Sequence, residues 1–80
     1  MSDYRRVAVK WRDAVRDYGS MDLDAAKQGR HCINESVGWL LRSDSAEIVL
    51  TAEFCADYTQ IRDTTTIPFC MIIDIIDIGT

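Results

Sequence analysis

Hydrophobic and polar residues alternate most cleanly in the middle of the chain. In "SVGWLLRSDSAEIVLTAEF", Val37, Trp39 and Leu41 alternate with Gly38, Leu40 and Arg42. Beyond the turn-rich "SDSAE", Ile48, Leu50 and Ala52 alternate with Val49, Thr51 and Glu53. Period-two alternation on both sides of a short polar segment predicts a β-hairpin. Gly38 inside the first of these strands predicts a bend or a close backbone approach. "TTTIPFC" supplies a further strand, which Pro68 must end or confine to a sheet edge, because proline gives the ladder no N–H. A tight turn across 68–71 then feeds the last segment, "MIIDIIDIGT", where five of the seven residues from 72 to 78 are isoleucine. So much β-branched hydrocarbon makes a poor short helix and a good strand. Strict alternation places Ile73, Ile75 and Asp77 on one face and Ile72, Asp74, Ile76 and Ile78 on the other. Both faces are largely apolar. One is expected to line the interior of the protomer, and the other, or the strand edge, to meet a second copy. Ile72, Ile76 and Ile78 are the residues expected at that interface.

The first segment supports two readings. Tyr4, Val7, Trp11, Ala14 and Tyr18 recur at steps of three and four, as on one face of a helix. Val7, Val9 and Trp11 also alternate with Arg6, Ala8, Lys10 and Arg12, as in a strand. Periodicity favours the helix; the β-branched and aromatic "VAVKW" and the lack of a capping box favour the strand. "DYGSMDLDAAKQGRH" reads as a long loop bracketed by Gly19 and Gly29. Within it Ser20 or Asp22 can cap a helical turn through Leu23, Ala25 and Ala26. "CADYTQIRD" reads as a polar connector that extends the strands on either side.

At 80 residues the chain is expected to form a single domain, 1–80. A chain this short buries only ~60% of its unfolded surface, so its core is thin and a partner subunit is a natural source of further stability. The net charge of −4 is unevenly spread. Residues 1–42 carry eight Lys/Arg against six acids, and residues 43–80 one Arg against seven acids. The overall sign argues against binding a nucleic-acid backbone. A local basic segment, Arg5, Arg6, Lys10, Arg12 and Arg16, can attract an anionic small ligand or pair with Asp13 and Asp17. No apolar run suggests a leader, and none reaches the ~20 residues that span a bilayer, so no membrane partner and a cytoplasmic location are expected.

Three cysteines at wide spacings, Cys32, Cys55 and Cys70, fit reduced thiols acting as small core hydrophobes. With His31 they have the ligand types of a zinc site but none of the short spacings, so neither a metal nor another cofactor is expected. A Cys/His nucleophile pair fails in the same way, and Asp74 and Asp77 on a strand point to opposite faces. Trp11 and Trp39 serve first as core anchors. Exposed beside Arg12 and Arg16, they would supply the stacking partner and phosphate fork of a ligand site. Trp11, Trp39, Arg12 and Arg16 are therefore the candidate ligand-binding residues.

Three stretches, "VAVKWRDAV", "SVGWLLRSDSAEIVLTAEF" and "TIPFCMIIDIIDI", resemble a group of short phage and bacterial proteins that carry no established reaction. The resemblance covers most of the chain, and its middle portion is the more specific. It implies a small five-stranded SH3-like or Sm-like β-barrel and a strand across residues 7–11. Sm-like proteins form rings by pairing strand edges between neighbours and bind RNA along the pore. Their loop motifs, Asn beside Asp and a later Arg-Gly or Lys-Gly pair, are missing from this sequence. The resulting expectation is a non-enzymatic homo-oligomer of phage or prophage origin, a ring being one form open to it, that acts by binding. One alternative is a module that sequesters a nucleotide or other small ligand at subunit interfaces. Another is an acidic inhibitor that captures a host protein by mimicking nucleic acid.

Overall fold

The computed structural model describes residues 4–14 and 18–79. In chain order the elements are β1 (Arg6–Ala14), α1 (Leu23–Gln28), β2 (His31–Ser43), β3 (Glu47–Phe54), β4 (Ile61–Pro68), a 3₁₀ turn (Phe69–Met71) and β5 (Ile72–Gly79). The five strands form one antiparallel sheet in the order β4-β3-β2-β1-β5. The all-β expectation holds, and residues 7–11 are strand. The expected barrel does not: β4 and β5 end the sheet on opposite sides and share no ladder.

The reason lies in β2. It pairs with β1 from His31 to Trp39, but with β3 only from Trp39 to Ser43. Two ribbons therefore share only a short stretch of β2 around Trp39 and diverge on either side of it. The outer parts of β1 and β2 run past β5 as a two-stranded arm. A compact chain of this length would have a radius of gyration of ~12 Å. The observed value is 16.3 Å and the long dimension 54 Å against 22 and 21 Å for the others, so the molecule is elongated.

Gly38 sits at the point of divergence. A Cβ built there would lie 2.7 Å from the carbonyl oxygen of Thr51, nearer than side-chain carbons are found. Only glycine lets β2 pass this close to β3. Directly beyond it, the chain end before β1 is tied in as the Leu40 N–H donates to the Arg5 carbonyl at 2.8 Å.

The core is thin, as the length implies. Val7 and Val9 of β1, Ile48 and Leu50 of β3, and Ile67 of β4 are buried, with Trp11, Leu40, Met71, Ile72 and Ile75 packed around them. Burying each of these aliphatic side chains is worth roughly 1.5–3 kcal/mol. The 3₁₀ turn after Pro68 carries β4 into β5, and the Phe69 N–H donates to the Ala46 carbonyl at 2.8 Å. Between β2 and β3, Asp44 accepts from the N–H groups of Ala46 and Glu47 at 2.8 and 2.9 Å, and Arg42 bridges Asp44 and Glu47. Those backbone donors, with Arg42, hold the Asp44 carboxyl below its ordinary value. Asp22 caps α1 by accepting from Ala25 N–H at 3.3 Å, and Gly29 ends the helix at φ 63°. No residue of α1 is buried.

Two bulges make β5 depart from strict alternation. Lys10 faces Asp74 and Trp11 faces Ile72, so Ile73 is looped out; a second shift lies between Arg6 and Val7, opposite Ile78. Ile72 and Ile75, three apart, consequently both pack on the core. Ile73, Ile76 and Ile78 are left 38–53% exposed.

Replacing Gly38 with alanine should lower stability by about 1–3 kcal/mol, because either β2 or β3 must give way. Urea unfolding followed by circular dichroism measures the difference. An unchanged midpoint would show that the crossing tolerates a side chain.

Candidate functional site

Phe54, the last residue of β3, is the hub of a cluster of four aromatic rings. Tyr4 stacks on it with centroids 5.5 Å apart and 19° between planes. Trp39 meets it edge-on at 5.7 Å and 72°. Tyr58 leans on it at 5.2 Å and 43°. Trp39, Ala52, Glu53, Phe54 and Tyr58 line an open cleft of about 310 Å³. Four of the seven aromatic residues in the chain thus converge on one place, and Tyr4 and Tyr58 there are 41% and 50% exposed.

Each ring is delivered by a different device. Trp39 stands where three strands meet, opposite Arg6 of β1 and Thr51 of β3. Tyr4 is held by the tie between Arg5 and Leu40. Phe54 is set by a distortion of the β3/β4 ribbon. The ladder runs from the pair Thr51 and Thr64 to the pair Glu53 and Arg62, while Asp63 takes φ 60°. The buried Thr51 hydroxyl fills the irregularity, lying 2.9 and 3.1 Å from the carbonyls of Arg62 and Glu53 and donating to one at a time.

Tyr58 is placed by the turn of residues 55–60. It adopts φ 60°, a left-handed conformation that is costly for a bulky side chain and tends to occur at functional positions. The turn is secured by Asp57. Its Oδ1 accepts from the Cys55 thiol and the Thr59 hydroxyl, both at 2.7 Å, and from the Thr59 N–H at 3.1 Å. Those donors, led by the thiol, pull the Asp57 pKa down to about 2. On the thiol the contact acts in the opposite sense. Asp57 opposes ionisation of Cys55, the Gln60 N–H donated to the sulfur favours it, and the net direction is down.

Of the ligand residues expected from sequence, Trp39 belongs to this cluster. Trp11 does not. It lies opposite Asn34, five positions before Trp39 and so roughly 17 Å away along β2. Its indole N–H donates to the Ser36 hydroxyl at 3.0 Å, on the face that continues the core. Arg12 follows Trp11 on a strand and takes the opposite face. Arg16 lies outside the described residues. Asp13 accepts from the Asn34 side-chain amide at 3.3 Å, while Lys10 is flanked across the ladders by Glu35 and Asp74. Arg5 pairs with Asp77 at 3.3 Å.

The thiols differ from expectation too. Cys32 and Cys70 are exposed and Cys55 is half-buried, so none is a core residue. Cys32 lies on the arm, where β2 has outrun the layer that would cover it. His31 begins β2 opposite Ala14 and is exposed. Among the described residues no group of three or more His, Cys, Asp or Glu is placed to hold a metal ion.

Sequence reasoning passed over Tyr4, Phe54 and Tyr58. The signal that was present is Asp57 two residues before Thr59, the spacing at which an aspartate bonds the backbone of its own turn. No protein-family model matches the chain, and no curated protein or solved structure is significantly similar to it.

Asp57 titrates near 2 in the folded chain and at its ordinary value, 3.8, in the unfolded one. Its contribution is therefore complete above the unfolded value and is lost as pH falls through the folded one. The stability difference between the wild type and Asp57→Asn should be constant near neutrality and shrink steadily below pH ~4. Thermal melts at stepped pH measure it; a difference that grows on acidification contradicts this assignment.

Proposed function

We propose that the protein is a non-enzymatic binding module that works as an oligomer of identical subunits joined along β5. One observation carries this reading. On the outer face Val37, Ala8 and Ile76 form a row across β2, β1 and β5, and Ile73, Ile76 and Ile78 lie exposed on a strand whose outer edge is unpaired. Apolar side chains beside an open edge invite a further strand. The total surface points the same way. It is 6138 Å², against ~4,900 Å² for a compact monomer of this size.

The finer fold belongs to this proposal. The strand order, the bend at Gly38 and the 3₁₀ link before the last strand support an open form of the small SH3-like or Sm-like architecture. With β4 free at the other end, edge-to-edge pairing of β5 with a neighbour's β4 is a head-to-tail contact, and repetition of it closes a ring. The resemblance to phage and bacterial proteins supports a phage or prophage origin and action in the cytoplasm. Among the described residues no helix is long and apolar enough to cross a membrane.

Sedimentation velocity should give a mass several times that of the chain. The double variant Ile76→Lys, Ile78→Lys should weaken assembly by about a hundredfold or more, since it removes two apolar contacts and places charge on the edge. A wild-type protein that sediments as a monomer at high micromolar concentration would overturn the proposal.

A further inference from the structure

The geometry points to the aromatic cleft at the end of β3 as a receptor for an organic cation of the quaternary or methylated ammonium kind. This deepens the preceding reading. It rests on the protein acting by binding, and it does not depend on assembly.

Three features of the cleft select that chemistry. Its walls are ring faces and edges of Trp39, Phe54 and Tyr58, and Tyr4 extends the surface by stacking on Phe54. The face of an aromatic ring is negative, and indole attracts cations most strongly. The acid in the lining is Glu53, which forms no ion pair among the described residues. Arg62 is its ladder partner but makes no salt bridge with it. A carboxylate beside bare rings complements a bulky, weakly hydrated positive group that loses little on leaving water. It disfavours a phosphate, and residues 43–80, which supply most of the lining, carry a net charge of −6.

The third feature is the cost of the site. Tyr58 is held at φ 60° by the Asp57 turn, although a glycine or asparagine would sit there more easily. The conformation is what lays the ring against Phe54. A merely connecting turn has no use for a tyrosine in that geometry, whereas a cation site needs a wall.

The test is titration of the full chain with choline chloride at constant ionic strength, followed by the ring proton signals of Trp39, Phe54 and Tyr58. In parallel come 3,3-dimethylbutan-1-ol, the neutral carbon isostere of choline, and adenosine monophosphate. Choline should shift all three sets of signals along one saturable curve in the millimolar range, and the isostere should bind about tenfold more weakly. Glu53→Gln, an exposed change that leaves the rings in place, should weaken choline by about threefold or more. Tyr58→Leu should weaken it further. Equal binding of the isostere, shifts with adenosine monophosphate and none with choline, or no saturable shift at all would each overturn the inference. Sedimentation of the same samples separates the two proposals: a monomer that binds choline removes assembly alone, and an oligomer blind to choline removes the cation site alone.

Discussion

The crossing of β2 over β3 at Gly38 governs the rest of the molecule. At that point a backbone carbonyl occupies the place where any other residue would carry its first side-chain carbon. The close approach lets β2, paired with β1 alone up to this point, join β3 from Trp39 onward. Everything distinctive follows from this junction: the arm, the open sheet, and the angle between ribbons into which the aromatic rings fall. A sheet whose strands ran parallel for their full length would spread those rings over one face. Here Trp39 stands at the fork, and the end of β3 folds Phe54 against it.

The fork also accounts for how little is buried. Five aliphatic side chains form the sealed core, all from the short stretch where the ribbons overlap. The arm contributes hydrogen bonds between its own strands and almost no apolar burial. Polar residues fit such a place, and the inner face of the arm carries two sets of side-chain hydrogen bonds, Trp11 to Ser36 and Cys32 through Asn34 to Asp13. This is why cysteine, usually a buried residue, is exposed at position 32.

Much of the sheet was legible in the sequence. The hairpin around residues 43–47 announced itself by alternation and turn residues, and Pro68 marked the end of an edge strand. β-branched composition, rather than periodicity, identified β5 and tipped β1 toward strand. The helical spacing of Tyr4, Val7, Trp11, Ala14 and Tyr18 was a coincidence of two uses. Val7 and Trp11 face the core as strand residues, and Tyr4 serves the aromatic cluster. The cluster itself was hidden, since its members come from the chain start, β2, β3 and a turn, and only topology joins them. Barrel closure was equally out of reach. It depends on how far two ribbons diverge, which composition and period do not encode. The exposures along β5 escaped for a local reason, since each bulge shifts the inside-outside rhythm by one residue.

Those bulges bear on a hazard that any isoleucine-rich strand carries. A straight segment of six or seven such residues is the raw material of amyloid, in which identical copies stack in register and zip face to face. Looping out Ile73 and Ile78 interrupts the flat run, and Asp74 and Asp77 place like charges at short intervals along any such stack. The strand keeps apolar side chains beside an open edge, yet it is too irregular to template an endless fibril.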